Sequence, residues 1–185
     1  MRIWLATMLT AVIAIGATGL PAAQARGGDH CAVRLQPVRR QGHLWIAEPV
    51  VIGCYPTLAQ ALAVGSDGGI KVGATSPAEL TDEDVRSTVP SSDVLIGSEF
   101  VQTSFGGQSQ DYFATSTCSA TNIWEVNYVG DAWNDRFSSG KGFGGCDHNK
   151  KFAAADFGGD VLTCTPNCND YGSLSNQVSS LRWRP

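Results

Sequence analysis

The sequence predicts an all-β fold: two related β units packed as one β-sandwich, preceded by a small N-terminal module with one short helix. Three observations predict it. After Asp93, short β-prone runs alternate with turn residues: VLIGSEFV, SQDYFATS, NIWEVNYVG, KKFAAA, DVLTC and QVSSLRW. In that half an aromatic-glycine element is written twice, FVQTSFGG at 100–107 and FAAADFGG at 152–159. A Ser-Ser element follows each copy, WNDRFSS at 133–139 and LSNQVSS at 174–180, so that Asn134, Ser138 and Ser139 align with Ser175, Ser179 and Ser180. Two matched pairs in the same order mark one supersecondary unit present twice.

The start of the chain reads differently. Arg2 is the only charge before Arg26, and an apolar run fills residues 3–20 before Pro21 and the Ala23-Gln24-Ala25 site. A basic tip, an apolar run and a small-x-small site make a signal peptide, residues 1–25, with cleavage expected after Ala25. The protein is then expected to be secreted and extracellular, without a membrane attachment once cleaved. The 185-residue chain has 13 Lys+Arg against 17 Asp+Glu, a net charge of −4, and no basic run. Nucleic acid is therefore not an expected partner.

All six cysteines, at 31, 54, 118, 146, 164 and 168, follow the signal. An even count in an exported chain predicts three disulfides and no free thiol. Cys31–Cys54 is expected as a local staple; the pairing of the other four is open. Residues 26–65 form the N-terminal module: CAVRLQPV reads as a strand, LWIAEPVVIGC as a second apolar run broken by Pro49, and PTLAQALAVG as a short helix. Thr57 would cap that helix and Gly65 end it, with Leu58, Ala61 and Leu62 on one face. Residues 66–93, rich in Gly, Ser, Thr, Pro and acids, read as a linker, with one helical turn in SPAELTDEDV capped by Ser76 or Thr81.

The repeat has a physical reading. Aromatics five apart pack across a tight bend, and Gly107 and Gly159 supply a backbone conformation closed to other residues. The Ser-Ser end of each unit forms a loop whose hydroxyl and amide side chains hold the turn. Aromatic-x4-aromatic-x-Gly, then Asn/Asp-Asn/Asp-x-x-Ser/Thr-Ser, resembles the pattern of the βγ-crystallin Greek key. The first copy is FVQTSFGG with NDRFSS; the second is FAAADFGG with SNQVSS, then LRW. The resemblance implies a βγ-crystallin-like domain at 94–185, with keys at about 94–143 and 147–185, which is expected to fold without the N-terminal module. GKGFGG, at 140–145, reads as a flexible connection between the keys. Residues 118–131, with Trp124, Glu125 and Tyr128, are extra chain in the first key and read as a strand and loop that close the sandwich.

In the microbial crystallins the chain resembles, two such loops lie side by side and each Ca²⁺ draws ligands from both. Ca²⁺ takes six to eight hard oxygens. The first loop offers Asn134, Asp135, Ser138 and the carbonyl of Arg136; the second offers Ser175, Asn176, Ser179 and the carbonyl of Gln177. Ser175 stands where the family has Asn or Asp, and Asp135 is the only carboxylate in the two loops. Weak binding is expected, with the stronger site relying on Asp135 and Ser138.

No enzyme signature is present. His30, His43 and His148 form no HExxH, there is no G-x-S-x-G, and GKGFGG lacks the Lys-Ser/Thr of a phosphate loop. Cys146-Asp147-His148 reads as a disulfide cysteine beside a surface histidine, and Trp133 and Trp183 as core. The expectation is a monomeric, non-enzymatic, secreted protein with a structural or surface role. The alternative is an inhibitor of an extracellular protease, a metalloproteinase above all, because small secreted inhibitors of crystallin-like fold exist. Its inhibitory loop would be CTPNC, with Thr165, Pro166 and Asn167 at the tip.

Overall fold

The computed structural model describes residues 30–73, 76–86, 88–89 and 93–185. The expected signal peptide lies outside them. Among the described residues, no helix is long and apolar enough to cross a membrane.

The chain opens with a long hairpin, β1 (His30–Gln41) and β2 (Leu44–Tyr55), in which Cys31 faces Cys54 and the two are disulfide-bonded. Pro49 does not break β2; it pairs with Leu35. Among the described residues β2 has a second neighbour only along Leu44–Ile46, so a missing N–H is tolerated at Pro49. Helix α1 (Leu58–Gly65) follows as expected: the Thr57 side chain accepts from the Gln60 N–H, and Leu58, Ala61, Leu62 and Gly65 are buried.

The later strands are β3 (Val94–Gln102), β4 (Gly106–Ala114), β5 (Ile123–Val126), β6 (Ser139–Gly142), β7 (His148–Phe152), β8 (Val161–Cys164) and β9 (Ser180–Arg184). Their spatial order with the hairpin is β6-β3-β4-β1-β2-β5-β9-β7-β8. The two keys exchange strands. β3, β4 and β6 of the first lie together, but β5 crosses over to pair with β9 of the second. In return Cys168 of the second key pairs with Gly140 of the first. The Cys164–Cys168 disulfide ties that residue to β8, so the two edge strands, β6 and β8, are stitched nearly into a closed sheet. Cys118–Cys146 is the third disulfide, and no cysteine is free.

The N-terminal hairpin is built into this sheet. β1 runs parallel to β4 and β2 parallel to β5, so the hairpin bridges the two halves of the sandwich. Cys31, Val33, Leu35 and Ala47 share one core with Tyr112, Trp124, Trp133, Phe137 and Trp183, and Trp45 stacks on Trp124 at 5.8 Å. Periodicity within a strand does not say which strand it will pair with, so the sequence showed a module where the structure has two central strands.

The segment read as a linker packs down too. Ile70, Leu80 and Val85 join α1, Leu95, Phe113 and Phe143 in a second core. The expected turn is there, as a 3₁₀ turn at Pro77–Glu79, with Thr81 and Asp84 bonded reciprocally after it. Lys141 Nζ donates to the carbonyls of Pro77, Ala78 and Leu80 at 3.1, 2.9 and 2.7 Å. Its stretch, GKGFGG, is no flexible connection: Ser139–Gly142 is a fully buried strand. The glycines serve close approach, since a Cβ at Gly140 would stand 2.1 Å from the Tyr171 hydroxyl and one at Gly142 2.2 Å from Asn149 Nδ2.

The core also holds Asp111, on β4 opposite Ser98 of β3 and Ala32 of β1. Its Oδ2 accepts from Ser109 Oγ at 2.8 Å, and Ser109 Oγ shares a second hydrogen bond with His30 Nδ1. Burial pushes the Asp111 carboxyl up to about 7, against hydrogen bonds from Ser98 and Ser109. A carboxyl raised in the folded state binds its proton more tightly there than in the unfolded chain, where its pKa is about 3.9. Its contribution is complete below about pH 4 and is lost as pH rises toward 7, on the order of 4 kcal/mol in all. Asp111→Asn, with no proton to lose, is expected to flatten that slope and to be the more stable form at pH 8. Denaturant melts of both proteins at pH 5 and pH 8 measure it; parallel losses would contradict it.

Candidate functional site

Each key begins with the same folded corner. After β3 the backbone turns through Ser104 (φ 56°, ψ 32°), and after β7 through Asp156 (φ 55°, ψ 32°). Phe100 meets Phe105 edge-on at 5.9 Å, and Phe152 meets Phe157 at 5.6 Å. Gly107 (φ 74°) and Gly159 (φ 73°) take the left-handed conformation predicted for them. The second serine of each Ser-Ser pair locks its corner. Ser139 Oγ accepts from the Phe105 N–H at 3.0 Å and donates to the Gln102 carbonyl at 2.5 Å. Ser180 Oγ accepts from the Phe157 N–H at 3.1 Å and donates to the Ala154 carbonyl at 2.7 Å.

Two repeated corners, each pinned by its own key's serine, and two strands exchanged between the keys define the architecture. The fold is βγ-crystallin-like. Among solved structures the chain is similar to a βγ-crystallin from an archaeon, at 25% identity over 48% of this chain and 96% of that one, with a TM-score of 0.36. It is also similar to the N-terminal domain of Protein S (22% identity, 48% and 93% coverage, TM-score 0.34). A third is a βγ-crystallin from Ciona intestinalis (21% identity, 46% and 94% coverage, TM-score 0.35). No protein-family model matches the chain, and no curated protein matches it.

The crystallin-like exchange brings the two Ser-Ser loops together head to tail. Asp135 and Asn176 are equivalent, both at φ 59°. The Asp135 N–H donates to the Val178 carbonyl at 3.2 Å, and the Asn176 N–H donates to the Phe137 carbonyl at 2.9 Å. Asp135 therefore lies beside Ser179, and Asn176 beside Ser138. Ser138 Oγ donates to Asn176 Oδ1 at 3.3 Å, and Ser179 Oγ donates to the Ala153 carbonyl at 3.2 Å. From the sequence, Asp135 and Ser138 are expected to serve one site; the crossing instead sets Asp135 beside Ser179. Both serines are nearly buried, while Asp135 and Asn176 are exposed.

Asn134 Nδ2 donates to Asp135 Oδ2 at 2.8 Å, and its own Oδ1 is buried with no hydrogen-bond partner among the described residues. A buried amide oxygen left without a donor is costly, and a cation would satisfy it. Ser175 Oγ donates to Asp170 Oδ1 at 3.2 Å, which also accepts from the Gly172 N–H at 2.7 Å. Asp170 thus brings a carboxylate to the second loop. It precedes the motif, and its one signal in the sequence is an acid two residues before a glycine turn. Arg136 and Gln177 are expected to offer their carbonyls, and their side chains are engaged elsewhere. Arg136 donates to the Ala132 carbonyl and to Gln108 Oε1, and Gln177 donates to the Ser173 carbonyl, so only their carbonyls remain as candidate ligands. Among the described residues no three His, Cys, Asp or Glu side chains gather. The candidate donors are hard neutral oxygens with one carboxylate per loop, a set suited to Ca²⁺ rather than to Zn²⁺.

The alternative loop lies elsewhere. Thr165, Pro166 and Asn167 sit inside the Cys164–Cys168 ring. The Pro166 carbonyl accepts from the Gly142 N–H and Asn149 Nδ2, and Asn167 Oδ1 accepts from the Gly142 N–H. This loop is the segment that crosses to β6, laid against the body. Trp133 and Trp183 are core, as expected.

Proposed function

We propose that this is a secreted, non-enzymatic βγ-crystallin-like protein that binds Ca²⁺ weakly between its two Ser-Ser loops. Calcium would stabilise the contact between the keys, giving the protein a structural or surface role. The observation that carries this reading is the reciprocal crossing of the loops, with Asp135 beside Ser179 and Asn176 beside Ser138. The buried, unpartnered Asn134 Oδ1 supports it at the first loop. Residues Asn134, Asp135 and Ser179 with the Ala153 carbonyl would hold one ion. Ser138, Asn176 and Ser175 with Asp170 would hold or surround the other. The carbonyls of Arg136 and Gln177 are further candidates. Three disulfides suit an oxidising, extracellular setting.

The test is a calorimetric titration of Ca²⁺ into chelator-stripped protein, expected to give weak, unequal binding at two sites. Ser175→Asp is expected to tighten the weaker one, because it sets a second carboxylate beside Asp170, a pair that repels without a cation and binds with one. A featureless titration for both proteins would refute the reading.

A further inference from the structure

Glu99 and Lys151 are equivalent positions of the two keys, on β3 and β7, and their side chains meet in the core. Each side chain is 0% exposed. Lys151 Nζ contacts Glu99 Oε1, and the Tyr171 hydroxyl donates to Glu99 Oε2. The rings of Tyr171 and Trp183 stand 5.7 Å from Nζ. A Cβ at Gly140 would stand 2.7 Å from Glu99 Oε2, so only glycine admits this arrangement there.

As an ion pair the site is poorly satisfied. An ammonium has three N–H donors, and among the described residues Glu99 is the one oxygen acceptor that Lys151 meets. Buried charges need complete pairing. Burial pushes the Lys151 amine down and the Glu99 carboxyl up, each toward its neutral form, against their mutual attraction. Transfer of one proton from the ammonium to the carboxylate within the pair leaves a neutral amine held dry against a neutral carboxyl, a nucleophile against its electrophile at very high effective concentration.

We propose that Glu99 and Lys151 join spontaneously as a γ-glutamyl–ε-lysine amide, a covalent cross-link between the two keys. Nζ forms a bond to the Glu99 Cδ, and the bond from Cδ to one carboxyl oxygen breaks. That oxygen leaves as water, carrying the carboxyl proton and one proton from the amine, so no oxidant, nucleotide or second enzyme is needed. Tyr171 donates to the oxygen that remains, stabilising the charge that develops on it during attack and then serving the amide carbonyl. The product is neutral and has one N–H in place of three, so it removes the unsatisfied charge from the core.

The experiment is the intact mass of the full chain, produced with its disulfides formed, then denatured and fully reduced, with its N-terminus established by sequencing. The expected mass is lower than the sequence mass by one water, and a proteolytic digest should contain a branched peptide joining Glu99 to Lys151. Lys151→Met should show the unmodified mass, whether or not it folds well. An unmodified mass for the full chain, or a water deficit that persists in Lys151→Met, overturns the proposal.

Discussion

A chain that begins at Asp93 is expected not to fold cooperatively. The resemblance of residues 94–185 to a complete double key implies that they fold alone; the pairing of the hairpin argues against it. The hairpin pairs with β4 through His30–Arg34 and with β5 through Leu44–Ile46. Removing it bares those two strands and the Tyr112 and Trp124 side chains beneath. It also removes Ala32, Val33, Leu35 and Ala47 from the two cores. Burying one large aliphatic side chain is worth about 1.5–3 kcal/mol. With Trp45 and the lost strand pairing, the deficit is on the order of the 5–15 kcal/mol that holds a whole domain. Far-UV spectra and urea melts of the oxidised fragment and the full chain measure it. A fragment with the β spectrum and urea midpoint of the full chain would show the hairpin to be an accessory.

The two corners were legible because they need particular residues. Gly107 and Gly159 sit at positive φ, and the aromatic pairs and serines recur at matching places. Helix α1 was legible through Thr57 and its apolar face, and Cys31–Cys54 through local spacing. Strand β6 was not, because Ser-Gly-Lys-Gly carries no β propensity; it is a strand because Glu99, Tyr171 and Asn149 crowd against it and leave no room for larger residues. The insertion of the hairpin between β4 and β5 is a long-range pairing, and no local pattern announces it. At the candidate site the two loops were legible as repeated turns, but not which residue faces which. That follows from the exchange of strands between keys, which also brings Asp170 to Ser175.

The proposed calcium sites predict the second large effect. A ligand that binds only the folded state stabilises it by RT ln(1 + [L]/Kd), about 2.7 kcal/mol at 100 times Kd. In a chain of this size that corresponds to a rise in melting temperature of about 5–10 °C. Crossed loops make the variant pattern specific. Asp135→Asn with Ser179→Ala should remove one site, and Asn176→Gly with Ser138→Ala the other. Asn and Gly are chosen because both backbones sit at φ 59°, where other residues would add strain of their own. Each pair should lose part of the calcium shift, and the four together nearly all of it, while the melting temperature in chelator changes little. Pairing Asp135 with Ser138 instead should damage both sites at once.

The most direct measurement is the melting temperature of the wild-type protein in millimolar calcium and in chelator, beside the two crossed double variants. Calcium binding between the loops predicts a wild-type rise of several degrees, divided between the two variants. An identical melting temperature for the wild type in calcium and in chelator would mean that the Ser-Ser loops serve only as the turns that lock the two corners.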